Sequence, residues 1–357
     1  MWGKIHKWPA LAGVAMLACV LAVVAGAREQ ADIYTVHALV SDDASVPATA
    51  TDTSLVNGWG LSDGPTTPWW ASNNGTNTST LYNGAGTKQA LTVTVAGAPT
   101  GTVFNGSATD FVVNSAGKSG AARFLFATEG GTIMGWSPTV NAAAAVTAVD
   151  RSGAGASYKG LATLNDRLYA TDFHNGHVDV FDASFAPVSL PGGFTDAKIP
   201  KGFAPFGIQA LGGNIFVTYA KQDAAAKDDV AAPGQGYVDE FTPDGKLLGH
   251  VVNSGKKNAP LNAAWGLAMA PSDFSVFAGD LLVGNFGNGR ISAYTQSGAN
   301  WVYKGQLKHA DGTPISIDGL WAIAFGNGAA AGPTGTLYFL SGPSDEKHGL
   351  FGSITAG

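Results

Sequence analysis

The chain has 357 residues, 45% of them hydrophobic and only 13% charged, with 49 glycines and a net charge of −6. That is enough apolar material for a sizeable core, and its regular apolar runs exclude a disordered low-complexity chain. The thin acidic balance carries no Lys/Arg stripe, which excludes a nucleic-acid partner, and no basic patch for a membrane surface.

In chain order, the first segment reads as a leader. Lys4, His6 and Lys7 precede an apolar run from Pro9 to Gly26, Ala25-Gly26-Ala27 is a small-x-small cleavage signal, and the chain turns polar at Arg28. The pattern predicts a signal peptide over residues 1–27 and export to the periplasm or the outside. Residues 28–357 are then one mature domain without a membrane span, expected to be a monomer. The alternative is an uncleaved anchor, since the run is nearly long enough to span a bilayer. Cys19, the only cysteine, lies inside this run. A lipidated cysteine would need a cut just before it, and Met16-Leu17-Ala18 matches that signal only loosely. Cleavage after Ala27 leaves no cysteine and no need of a disulfide.

From residue 33 onward short apolar runs recur with a period of about 50 residues. The segment 33–40 comes first and has no partner nearby. Unit one runs from Trp59-Gly60-Leu61 through Trp69–Asn73 to Thr80–Tyr82, and unit two from Phe111-Val112-Val113 through Phe124–Glu129 to Thr132–Trp136. Unit three is the clearest. Gly160–Leu164 leads through Asn165-Asp166 to Arg167–Asp172, and Asn175-Gly176 leads on to His177–Phe181. Asn-Gly is the preferred pair for a type I′ hairpin, where both central residues need positive φ. Unit four runs from Phe206-Gly207-Ile208 through Ile215–Tyr219 to Tyr237–Phe241. Unit five runs from Trp265–Ala268 through Asp280–Asn285 to Arg290–Tyr294. Unit six runs from Leu320–Ile323 through Thr336–Leu340 to Gly349–Ile354.

Six such units predict an all-β, six-bladed β-propeller with four-stranded blades, each buried on both faces by its neighbours. A solenoid would need polar capping units, and the sequence has none at either end. Unit six ends three residues from the C-terminus, so segment 33–40 is expected to supply the fourth strand of the last blade. Ring closure of this kind removes exposed sheet edges.

Residues 168–181, Leu-Tyr-Ala-Thr-Asp-x-x-Asn-Gly-x-Val-x-Val-Phe, resemble the NHL repeat, and residues 281–294 are a weaker copy. The openings Asn57–Leu61, Ala204–Ile208 and Ala264–Ala268 resemble an uncharacterised family of exported bacterial propellers, some with a PEP-CTERM sorting tail. This chain departs there, because Phe351–Gly357 has no apolar span and no basic end. The resemblance implies a fold and no activity, since propellers host binding proteins, lyases and lactonases alike.

In such a propeller the turns between second and third strands share a face with the connections between blades, around the channel mouth. Asp172, His174, His177 and Asp179 would lie on one side of the unit-three hairpin if Asn175-Gly176 were a two-residue turn, with His174 opposite His177. Two imidazoles and two carboxylates so placed suit Zn²⁺ or Cu²⁺, while the plainer reading is a wet rim with a turn-ordering Asp. Asn73, Glu129, Asp172 and Asn285 end the second strand in four units. An oxygen ring there suits Ca²⁺, as in calcium-dependent lactonases on six-bladed propellers, and otherwise these residues simply begin turns. Asn57, Asp110, Lys159 and Asp318 precede or open the first strand and would face a polar small molecule or a protein at the mouth. The alternative for them is solvated loop charge. Trp59, Trp265 and Trp321, with Phe206, recur in the first strand and would either stack on a ligand or pack between blades. Residues 221–236 are a polar insertion in unit four, either a lid or a floppy loop. The motifs of P-loops, α/β-hydrolases and helical zinc proteases are missing. The expected function is therefore an exported propeller that binds a small molecule or a protein at its channel mouth. The alternative is a Ca²⁺- or Zn²⁺-dependent hydrolase, lactonase or lyase acting there.

Overall fold

Four of the six second strands in the computed structural model are buried along their whole length and the other two along all but their ends, which is why these stretches read as unbroken apolar runs instead of an alternation. The structure describes residues 1–4, 33–252 and 260–357. Beyond its first four residues the predicted leader, with its cleavage point, lies outside them. Among the described residues no helix is long and apolar enough to cross a membrane.

Six sheets follow one another along the chain, antiparallel except where Ala50–Thr51 adds a short parallel edge to Tyr34–Ser41. Blade one is Gly58–Ser62, Trp69–Asn73, Thr78–Tyr82 and Lys88–Thr94. Blade two is Pro99–Phe104, Phe124–Thr128, Thr132–Trp136 and Val146–Asp150. Blade three is Tyr158–Leu164, Arg167–Asp172 and His177–Phe181, with only a single bridge, Phe181 to Pro187, in the outer position. Blade four is Phe203–Leu211, Asn214–Lys221, Tyr237–Phe241 and Leu247–Val252. Blade five is Ala264–Met269, Leu281–Asn285, Ile291–Ser297 and Asn300–Gln306. Blade six is Leu320–Phe325, Leu337–Ser341 and Leu350–Ala356, completed by Tyr34–Ser41 from the start of the domain. In that closing pair Tyr34 lies opposite Ala356 and Val36 opposite Ile354. The domain is a six-bladed β-propeller with mostly four-stranded blades, closed as the sequence predicts.

Unit two corrects the expectation. Its inner strand is Pro99–Phe104, and the stretch taken for it, Phe111–Val113, leads into an inserted hairpin of Val112–Ser115 with Lys118–Ala121.

The inner strands meet around the axis at glycines. A Cβ at Gly60 would stand 2.3 Å from Thr100 O, one at Gly101 2.3 Å from Leu161 N, and one at Gly207 2.0 Å from Trp265 O. Only a residue without a side chain allows backbone to approach backbone so closely. The tunnel that remains, lined by Gly60, Gly101, Gly266 and their neighbours, holds about 40 Å³. That is roughly the space of one water. The axis is therefore shut at its middle, and a ligand can reach only its ends.

Candidate functional site at the channel mouth

Directly above the glycine ring the inner strands carry large side chains inward. Trp59 stacks on Trp321 with ring centroids 3.7 Å apart, Trp265 stands edge-on to both, and Phe206 closes against Trp321 at 5.8 Å. All four are buried. The indole N–H of Trp265 donates to Lys159 O (3.1 Å) and that of Trp321 to Asn57 Oδ1 (3.1 Å). The tryptophans are thus a packed plug, the alternative to ligand stacking, and form the floor of the mouth.

Lys159 occupies the same ring position in blade three and is 1% exposed. Its ammonium lies 5.0 Å above the Trp59 ring and is held by a short ion pair with Glu129 and a second at 3.3 Å with Asp228. A lone buried ammonium is costly, and these carboxylates make its charge tolerable. The pairing is extended by amides. Asn74 Nδ2 donates to Glu129 Oε2 (2.9 Å), while Asn57 Nδ2 donates to Glu346 Oε2 (2.7 Å).

Glu346 and Asp229 add two further acids. Burial pushes the Glu346 carboxyl up, with the charges of Glu129 and Asp228 adding to it and the Asn57 amide and Lys159 opposing. Burial, then repulsion from Glu346, raises Asp229 to about 7, against the pull of Lys159. Asp229 Oδ2 is buried and accepts no hydrogen bond among the described residues. A cleft of about 710 Å³ opens here, lined among others by Glu129, Ser152, His174, Lys227, Asp228 and Glu346.

Two loops bring these acids in. The insertion of blade four is laid down over the neighbouring turn. Gln222 Nε2 donates to Phe173 O (2.5 Å), and His174 Nδ1 is 3.2 Å from Ala226 O. Its Lys227 and Asp228 line the cleft. Glu346 arrives on the turn of blade six, where Ser344, Asp345 and Glu346 have φ of 59°, 54° and 63°. Three successive left-handed residues with side chains are strained, by about 1 kcal/mol or more each. Asp318, exposed at the head of blade six, accepts the Ser344 N–H (2.8 Å) and helps hold that turn.

The remaining sequence-predicted residues fall as follows. Asn57, buried at φ 49°, and Lys159 lie at the mouth. Asp110 does not. It follows Phe104, and Phe104 pairs with Phe124 at the end of blade two opposite Thr128 and Glu129. The oxygen ring does not assemble either. Asp172 accepts the Ser157 and Asn175 N–H groups and the Asn175 amide; Asn285 accepts Asn262 N–H and donates to Val283 O and Arg290 O. Asn73 donates to the hydroxyls of Thr78 and Thr80. All three are fully buried and order their own turns, as Asx residues do, leaving Glu129 alone at the mouth beside an ammonium. Those residues do not fit a calcium ion.

The unit-three hairpin is also in a different register. Asp172 pairs with His177 and Ala170 with Asp179, so the loop spans Phe173–Gly176, with Gly176 N–H bonded to Asp172 O at 2.9 Å. His174 therefore turns to the cleft, away from His177. Asp172, His177 and Asp179 stay close, with His177 Nε2 3.1 Å from Asp179 Oδ1. Their oxygens already have protein partners, including Tyr158 OH on Asp179 Oδ2 at 2.6 Å. Sequence reasoning missed Asp228, Asp229 and Glu346.

No family model matches the chain. It is 29% identical over 345 residues to an uncharacterised protein of Acanthamoeba polyphaga mimivirus, covering 92% of this chain and 87% of that protein. A second uncharacterised protein of the same virus is 30% identical over 229 residues, 63% of this chain, which spans only 42% of that relative. Among solved structures, a streptogramin B lyase matches with TM-score 0.51 at 13% identity, over 91% of this chain and 97% of that one. The soluble aldose sugar dehydrogenase of Escherichia coli matches with TM-score 0.51 at 13% identity, over 91% of this chain and 100% of that one. Both are propeller proteins, and likeness at this identity speaks for the fold alone.

Proposed function

We propose that this chain is an exported binding propeller whose channel mouth takes a small, positively charged, donor-rich organic molecule such as an amine. The observation that carries this reading is the surplus of acceptors. Glu129, Asp228, Asp229 and Glu346 surround a single buried ammonium, and one buried oxygen of Asp229 has no hydrogen bond among the described residues. A ligand ammonium or guanidinium would supply both the missing charge and the missing donors, and charge-assisted hydrogen bonds of this kind are the strong ones. Export rests on the leader pattern of residues 1–27.

The test is a thermal-shift screen of the purified protein at pH 8 with spermidine, agmatine, glucosamine, glucose and CaCl₂. The reading expects at least one amine to stabilise the protein, glucose to do nothing, and Glu346→Gln to weaken the effect about tenfold or more. Stabilisation by glucose alone, or by Ca²⁺ alone, would replace it with a neutral-sugar or a metal site.

A further inference from the structure

Outside the mouth, Asp196, Asp239 and His250 come together from three separate segments on blade four. Asp239 lies in the third strand and His250 in the outer strand, opposite one another in register. Asp196 arrives from the connection between blades three and four. His250 Nδ1 is 2.8 Å from Asp239 Oδ1 and 3.3 Å from Asp196 Oδ2. Ligand atoms of all three residues lie within 4.8 Å of one another.

What sets this cluster apart is what it leaves unpaired. Asp239 is 0% exposed and its Oδ2 has no hydrogen bond among the described residues, while Oδ2 of the nearly buried Asp196 side chain has only the 3.3 Å ion-pair contact with His250. The Tyr219 hydroxyl, on a residue 4% exposed, also has no hydrogen bond among the described residues. The blade-three trio is the useful contrast, because there every carboxylate oxygen has a protein partner. Two buried carboxylates side by side are poorly tolerated unless a proton or a cation lies between them. Imidazole nitrogen with two carboxylates is a donor set for a first-row divalent ion, more than for all-oxygen Ca²⁺.

We infer that Asp196, Asp239 and His250 Nδ1 form a binding site for a divalent transition-metal ion, Zn²⁺ being the best match, with Tyr219 beside it. The site lies in the outer half of blade four, so the ion braces the connection between blades three and four. Its failure would leave the reading of the mouth untouched.

The test strips the full-length protein with EDTA and titrates it with ZnCl₂, then with CoCl₂, followed by metal analysis. The inference expects one Zn²⁺ per chain, a melting temperature raised by the metal, and visible Co²⁺ bands of a low-coordinate site. Asp239→Asn and His250→Gln should each lower affinity at least tenfold, while His177→Gln leaves it unchanged. If either blade-four variant fails to fold, Asp196→Asn and the Co²⁺ spectrum of the wild type decide. No binding, or binding lost in His177→Gln and kept in the blade-four variants, would overturn the inference.

Discussion

Asp229→Asn should make the protein more stable at alkaline pH. The folded state holds this carboxyl at about 7 against an ordinary 3.8, chiefly by burial. Between those values the folded chain binds more protons than the unfolded one, so its stability falls as pH rises through the window. At 1.36 kcal/mol per unit the full shift corresponds to a ceiling of about 4 kcal/mol. The side chain is partly open to solvent, which reduces the figure to about 2 kcal/mol. The variant should therefore match the wild type near pH 4 and exceed it by about 2 kcal/mol at pH 8, a rise of about 3 °C in melting temperature for a domain of this size. Denaturant melts of both proteins from pH 4 to pH 8 measure this. Parallel stability curves would refute the reasoning, because they would mean that Asp229 is not held protonated by its surroundings.

Lys159→Met should destabilise by about 3–5 kcal/mol, since it leaves Glu129 facing the plug without its counter-charge, and chemical denaturation reads the loss directly. Gly207→Ala places a methyl 2.0 Å from Trp265 O and should cost about 1–3 kcal/mol or more, whereas Gly212→Ala, a turn position with open space around it, costs only the strain of its positive φ. Deleting residues 33–41 should abolish the cooperative thermal transition, because the last blade loses the strand that pairs with Leu350–Ala356.

The ring was legible because a blade strand buried on both faces must be apolar and turns between strands must carry Asn, Asp or Gly. Those signals placed Thr132–Trp136 and Tyr237–Phe241 to the residue, and closure by segment 33–40 followed from a missing outer strand. Unit two failed for a physical reason. Its true inner strand, Pro99-Thr-Gly-Thr-Val-Phe, is small because Gly101 must admit the backbone of Leu161, so a search for apolar runs passed it by in favour of Phe111–Val113. Aligning Gly101 with Gly60, Gly160, Gly207 and Gly266 is the signal that would have found it. The site was less legible. Asn57 immediately precedes, and Lys159 sits on, an inner strand whose position follows from the repeat, whereas Asp228, Asp229 and Glu346 sit on loops whose paths no periodicity describes. The four-residue loop of blade three reads locally like a tight Asn-Gly turn, and only the pairing of Asp172 with His177 tells the two apart. Asp196, Asp239 and His250 are brought together by tertiary packing, which no short-range pattern encodes.

The most direct test of an amine-binding mouth is calorimetric titration of the protein with the best amine of the screen, at pH 6.5, in two buffers of different ionisation enthalpy. Because burial holds Asp229 at about 7, a bound cation should pull its proton off, giving one site per chain and net proton release. Binding without proton release, or proton release unchanged in a double variant Asp229→Asn/Glu346→Gln, would contradict the account.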